Sequence, residues 1–198
     1  MVSKKIGVIG IQGAIAEHIN SFEKAINELN FNAEVFSVRN KDQIKSLDAL
    51  VIPGGESTTI SRFIQKLGLE EEILRRIKKK DLPIMGTCAG CVILANSIKD
   101  ETHDVKLLKA MDMTVKRNAF GRQKESFEQK IDIKGLNTPY NAVFIRAPTI
   151  EDILKDCKAL AKIDNKIVMA RQDNLLALSF HPELTDDLRI HKYFLDII

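Results

Sequence analysis

Residues 82–95 read LPIMGTCAGCVILA. An apolar run opening at Pro83 predicts a buried strand and AGCVILA predicts a helix, so Cys88 falls at the corner between them, bracketed by Gly86 and Gly90. The same alternation repeats upstream. KIGVIG (5–10) precedes the helical AIAEHINSFEKAINEL (14–29), AEVFSV (33–38) reads as a strand, and ALVIPGG (49–55) precedes the helical STTISRFIQKLG (57–68) and EEEILRRIKKK (70–80). The helix after Cys88 is expected to continue through ANSI to Ile98. Short apolar strands joined by helices indicate a parallel sheet covered on both faces.

From residue 111 the pattern changes. MDMTVKRN (111–118), SFEQKIDI (126–133), NAVFIRAP (141–148) and KALAKIDNKIVMARQDNLLALSF (158–180) read as strands and hairpins, with Asp-Asn pairs at 164–165 and 173–174 as turns. DDLRIHKYFLDII (186–198) reads as a final amphipathic helix. The expected fold class is therefore α/β. It is a three-layer αβα sandwich whose sheet is mostly parallel and doubly wound, with antiparallel hairpin strands in the C-terminal half. No Ser/Pro-rich linker, repeat or low-complexity run divides the 198 residues, so 1–198 is read as one domain.

Composition bounds the function. With 44% hydrophobic and 29% charged residues, a chain of this length buries roughly 70% of its unfolded surface. The net charge of +3 is too even a balance to suggest a nucleic-acid groove or a membrane surface. The run RRIKKK (75–80) closes a helix, where cations complement the C-terminal dipole; a phosphate-binding patch is the alternative. Three cysteines cannot form a disulfide framework and suit a reducing compartment. KK followed by IGVIGIQG and AIA imitates a secretory signal, but Gln12 breaks the apolar run and KKIGVIG is needed as the first strand, so a cytoplasmic location is expected.

In open α/β sheets ligands sit beyond the carboxyl ends of the strands. Four such ends carry unusual chemistry: GIQGA (10–14), PGGEST (53–58), GTCAG (86–90) and SFHPEL (179–184). Gly-x-Cys-x-Gly resembles a nucleophile elbow, and a helix N-terminus favours the thiolate. The competing reading is a buried core cysteine, which is how Cys157 is read. A thiolate needs a base. In an extended segment His181 and Glu183 share a face, so Glu183 can accept from one imidazole nitrogen while the other faces Cys88. His18, His103 and His191 are scattered and read as structural or solvated; no metal site is expected.

The consecutive glycines of PGGEST allow close backbone approach, Ser57 is expected to cap the following helix, and backbone donors at Gly55 and Ala89 are placed to hold an oxyanion. A plain turn and cap explains the same residues. The glycines at 7, 10 and 13 give G-x-x-G-x-x-G, not G-x-G-x-x-G, which argues against a nucleotide cofactor; none is expected.

GTCAG with a downstream HPE resembles the class I, triad-type glutamine amidotransferases. GVIGIQGAIAEH, PGGESTTI, RNAFGRQKESFE, FIRAP and SFHPELTDD resemble, within them, the glutaminase subunits of pyridoxal 5'-phosphate synthase, over nearly the whole chain. The resemblance implies hydrolysis of L-glutamine and delivery of ammonia to a separate synthase subunit, which makes pyridoxal phosphate from a pentose phosphate and a triose phosphate. It implies Cys88 as nucleophile with His181 and Glu183 completing the triad. It further implies glutamine held by Gly55, Glu56, Ser57, Arg117, Ile145 and Arg146, and Gln12 and Gly13 serving the oxyanion site when the synthase docks.

Cys91 and Lys106 depart from the family's usual residues, and Cys91 creates C-x-x-C at a helix start. A dithiol redox protein using Cys88 and Cys91 is the alternative from another class, though it has no use for HPE or GGES. A non-catalytic regulatory module is a third reading, opposed by the intact Cys/His/Glu set.

Overall fold

The computed structural model describes residues 3–99, 104–120 and 125–198. The chain lays down β1 (Lys4–Ile9), α1 (Ile15–Leu29), β2 (Ala33–Val38), α2 (Lys41–Lys45), β3 (Ala49–Ile52), α3 (Ser57–Lys66), α4 (Leu69–Lys79), β4 (Ile84–Thr87) and α5 (Ala89–Leu94). It continues through β5 (Ala95–Ile98), β6 (Met111–Lys116), β7 (Ser126–Ile131), β8 (Tyr140–Ile145), β9 (Thr149–Ile153), β10 (Lys158–Ile163), β11 (Lys166–Gln172), β12 (Leu175–Leu178) and α6 (Arg189–Leu195).

The main sheet runs β2-β1-β3-β4-β12-β11-β9-β6-β5, with β10 pairing β11, while β7 and β8 form a separate antiparallel pair. Pairings from β2 to β12 are parallel, and those that β11 makes with β12, β9 and β10 are antiparallel. A mostly parallel sheet with antiparallel hairpin strands toward the C-terminal half is what the sequence predicts. Both Asp-Asn pairs make two-residue hairpin turns, with Asp164 and Asp173 at φ 50° and 52°. That is the left-handed backbone that such tight connections use.

Side-chain alternation along the strands divides the core. Leu50 and Ile52 of β3 join Ile84, Ile60, Ile73 and Val92 on the α3, α4 and α5 side; Ala49 and Val51 join Ile6, Val8, Phe22 and Phe194 on the α1 and α6 side. The central strands β3 and β12 are apolar throughout because both faces are covered. In α4, Glu70, Glu71 and Glu72 occupy the first turn and Arg76, Lys78 and Lys79 the last, so the basic run does lie at a helix end. No helix among the described residues is long and apolar enough to cross a membrane.

Two local expectations are corrected. The helix after Cys88 stops at Leu94, and ANSI forms β5 beside β6, with Ser97 Oγ 2.9 Å from Thr114 Oγ1. Asn and Ser gain little from a helix interior, and a sheet edge lies within reach. The cap of α3 is Glu56, not Ser57: its carboxylate accepts from the backbone N–H groups of Thr58 and Thr59 at 3.3 and 2.8 Å, and Ser57 becomes the first helical residue. The longer acidic side chain reaches two orphan donors and places a negative charge at the helix N-terminus. The hydrogen bond from the Thr59 hydroxyl is the main cause that holds the Glu56 carboxyl below its ordinary range; burial opposes it and the bonds from Thr58 and Thr59 N–H add to it.

Candidate active site

The site lies where β4 and β12, neighbours in the centre of the sheet, end together. Leu178 pairs with Thr87, and the backbone N–H of Cys88 donates to Leu178 O at 2.8 Å. Cys88 turns the corner at φ 48°, ψ −98°, strained backbone for a residue with a side chain. The close approach of α5 to the sheet depends on glycine: a Cβ on Gly90 would lie 2.1 Å from Ile52 O, and one on Gly86 would meet the Gly90 carbonyl at 2.6 Å. The corner has the geometry of a nucleophile elbow, with a cysteine at its tip.

Three residues beyond β12, the N–H of His181 donates to Val143 O at 2.8 Å, and Pro182–Leu184 form a 3-10 turn. His181 Nδ1 lies 2.7 Å from Glu183 Oε1, with the Glu183 side chain fully buried. The expected pairing of these two residues is met, although a turn and not an extended segment supplies the geometry. Burial alone would lower the His181 pKa, but the neighbouring Cys88 and the hydrogen-bonded Glu183 raise it to about 10. Burial likewise disfavours ionised Glu183, yet the neighbouring His18 and His181 hold its carboxyl below the ordinary range. The raised pKa keeps His181 protonated near neutral pH, at the edge of the cavity that Cys88 also borders.

Cys88, Ala89 and His181 border a cavity of about 340 Å³ with Gln12, Gly55, Glu56, Ser57, Arg117, Ile145 and Arg146; Val92, Asn118 and Pro148 complete its wall. Every site residue expected from the sequence except Glu183 and Gly13 therefore lines one space. Glu183 stands behind His181. Gly13 lies at φ 101° against the Gly54 carbonyl, next to Gly55, and Gln12 Oε1 accepts from the Glu56 N–H at 3.3 Å. Arg117 Nη1 is buried with no hydrogen-bond partner among the described residues, which suits it to a carboxylate ligand. Arg146, at φ 44°, keeps an exposed side chain 3.9 Å from Glu125. Residues 121–123 of the RNAFGRQ block, and His103, lie outside the described residues.

Two neighbours of the triad are missing from the sequence reading. A Cβ on Gly54 would lie 2.4 Å from His181 Cε1 and 3.4 Å from the Cys88 Cβ, so this glycine leaves room between the two side chains. His18 is fully buried, its Nε2 3.1 Å from Thr87 Oγ1 and 3.4 Å from Glu183 Oε2. The signal for His18 was its place on the apolar face of α1, three residues after Ile15 and four before Phe22. Cys91, by contrast, is fully buried in the core beneath α5; burial, then the charges of Cys88 and Cys157, push its thiol far up. All three cysteines are free, and nothing in this geometry favours the dithiol reading.

Residues 8–198 match the SNO glutamine amidotransferase family. The pyridoxal 5'-phosphate synthase subunit PdxT of Methanococcoides burtonii is 51% identical over 195 residues, covering 97% of this chain and 98% of its own. The PdxT of Thermococcus gammatolerans is 45% identical over 192 residues, covering 96% and 97%. A solved glutamine amidotransferase superposes with a TM-score of 0.87 at 40% identity, covering 97% of each chain. A second, from Thermotoga maritima, has a TM-score of 0.63 at 15% identity over 99% of this chain and 84% of that one, a likeness of fold.

Proposed function

The chain belongs to the SNO glutamine amidotransferase family, and on that premise we propose that it is the glutaminase subunit of a pyridoxal 5'-phosphate synthase, hydrolysing L-glutamine to L-glutamate and ammonia. The observation that carries this is that Cys88 and His181, the latter held by Glu183 at 2.7 Å, border one cavity that also presents Arg117.

The chemistry follows from the charges. Cys88 thiolate attacks the side-chain carboxamide carbon of glutamine, and the negative charge that develops on the carbonyl oxygen is held by backbone donors at Gly55 and Ala89, with Gln12 and Gly13 shaping that corner. Imidazolium His181 gives its proton to the departing nitrogen, which leaves as ammonia and a glutamyl thioester. Neutral His181, held through Nδ1 by Glu183, then takes a proton from water as the water attacks the thioester. Glutamate departs and the thiolate is restored. Arg117 pairs with the α-carboxylate, while Glu56, Ser57, Ile145 and Arg146 border the rest of the substrate.

The released ammonia passes to a separate synthase subunit, which carries the pyridoxal phosphate chemistry; this chain acts as one glutaminase domain spanning 1–198, needs no metal or cofactor of its own, and works in the cytoplasm, where three free thiols persist. Its partners are L-glutamine and that synthase, not nucleic acid or membrane. Loss of ammonia to solvent would waste each turnover, so docking is expected to gate the site.

The test is glutamate release from L-glutamine by the purified chain, with and without the cognate synthase, beside the Cys88→Ala variant. Release that rises on adding the synthase and disappears in the variant supports the assignment. A folded chain that releases none in either condition overturns it, and a fully active variant removes Cys88 from its role.

A further inference from the structure

The triad uses one side of Glu183. Oε1 takes His181; Oε2, equally buried, meets no hydrogen-bond partner of good geometry among the described residues and faces His18 Nε2 at 3.4 Å. Both side chains are fully buried, so no exposed surface competes for this contact.

The His18 tautomer follows from its surroundings. Burial first, offset in part by Glu183, lowers its pKa, so the ring is neutral and carries one N–H. Nδ1 is buried without a partner. A proton there would leave an N–H donor unsatisfied and turn the Nε2 lone pair toward a carboxylate. A proton on Nε2 instead meets the Thr87 Oγ1 acceptor, turns its positive end toward Glu183 Oε2 at 3.4 Å and leaves only a lone pair unused. The ring is fixed from behind: its centroid is 6.1 Å from that of His191, whose ring stands edge-on to Phe22 at 4.9 Å.

We propose that His18 is a positioning residue for glutamine hydrolysis: as the Nε2–H tautomer it holds the Oε2 side of Glu183, and through it the His181 imidazole, while tying that carboxylate to Thr87, the residue before the nucleophile. The inference rests on the glutaminase reading. Without His18 the buried Oε2 has no compensating donor, the ionised carboxylate costs more, and its hold on His181 Nδ1–H weakens. The groups that face this pair are His181, Tyr140 and Glu17, with His191 from α6. Tyr140 is kept neutral by burial, despite its bond to Thr185, and His191 by burial, so His18 and His181 are the groups that set the state of Glu183 near neutral pH.

The experiment uses the chain in complex with its synthase and follows glutaminase kinetics against pH for wild type, His18→Leu and His18→Asn. His18→Leu is expected to lower kcat by about tenfold or more, with the KM for glutamine nearly unchanged and the acid limb of the rate profile moved to higher pH. His18→Asn, which keeps an N–H donor, is expected to recover part of the loss. A His18→Leu enzyme that melts like wild type and keeps both kcat and its acid limb overturns the proposal. Should the leucine variant fail to fold, nitrogen-15 histidine NMR of the wild-type chain decides: protonated Nε2 with bare Nδ1 at His18 supports the contact, and the reverse tautomer overturns it. A wild-type complex that releases no glutamate would overturn the glutaminase reading itself, while the NMR result would still settle the His18 tautomer.

Discussion

Gly54 stands against the ring of His181: a Cβ built on Gly54 would lie 2.4 Å from Cε1 and 3.0 Å from Nδ1 of the imidazole. Because His181 is buried and held by Glu183, the ring cannot swing aside without losing that bond. Gly54→Ala is therefore expected to displace the base. A displacement of about an ångström costs on the order of a hundredfold in kcat. The thermal midpoint should move little by comparison, since the strain falls on a side chain at the cavity edge. Glutaminase kinetics beside a melting curve check this; wild-type kcat in the alanine variant would show that the spacing is not needed.

The three thiols differ in access. Cys88 borders the cavity, whereas Cys91 is fully buried and Cys157 is nearly so, its thiol pushed up to about 11 by burial and then by Asp112. Iodoacetamide is expected to modify Cys88 first, abolishing activity in step with label uptake, and saturating glutamine should slow it. Cys91 and Cys157 should react only as the chain unfolds. Cys91→Ala should keep kcat while costing about 1–2 kcal/mol of stability for the small cavity it leaves. Mass spectrometry of the labelled protein reads all of this, and a reversible Cys88–Cys91 disulfide would contradict it.

Stability should fall on mild acidification because of His191. Burial lowers its pKa from an ordinary 6.5 to about 3, with its neighbour His18 adding to the effect. A depressed folded-state pKa means the unfolded chain takes the proton first, so the contribution is complete above about 6.5 and is lost as the pH falls toward 3. Between pH 7 and 5 the loss is about 2 kcal/mol. His181 runs the other way: raised to about 10, it contributes fully below 6.5 and loses that contribution as the pH rises through 10. His191→Phe, in a pocket already lined by Phe22, should flatten the acid limb relative to wild type. Melting curves at several pH values measure the difference, and equal slopes in the two proteins would refute the assignment.

What the sequence made legible follows the strength of its periodicities. The strand-to-helix corner at Cys88 and both Asp-Asn turns could be placed because glycine, proline and asparagine report backbone geometry directly. The contact between His181 and Glu183 was legible because nearness in sequence forces nearness in space. The boundary at Ala95 was not, since ANSI becomes a strand only because β6, a dozen or so residues later, offers it an edge. The cap at Glu56 was hidden by a better-known capping residue beside it. His18 was hidden for the same reason as Ala95: its partner is Glu183, 165 positions away, and a lone histidine on an apolar helix face carries no mark of what it will meet.

β12 is the last strand in chain order, yet it is inserted between β4 and β11, in the middle of the sheet. Of the described strands, synthesis therefore makes last the one that brings His181 and Glu183 up to Cys88. A growing chain that has made Cys88 but not Leu178 has a thiol at its corner with neither the carbonyl that pins its backbone nor the imidazole that shares its cavity. Reactivity toward glutamine appears only when the sheet is complete, so turnover doubles as a report that folding has finished, and a truncated product cannot release ammonia.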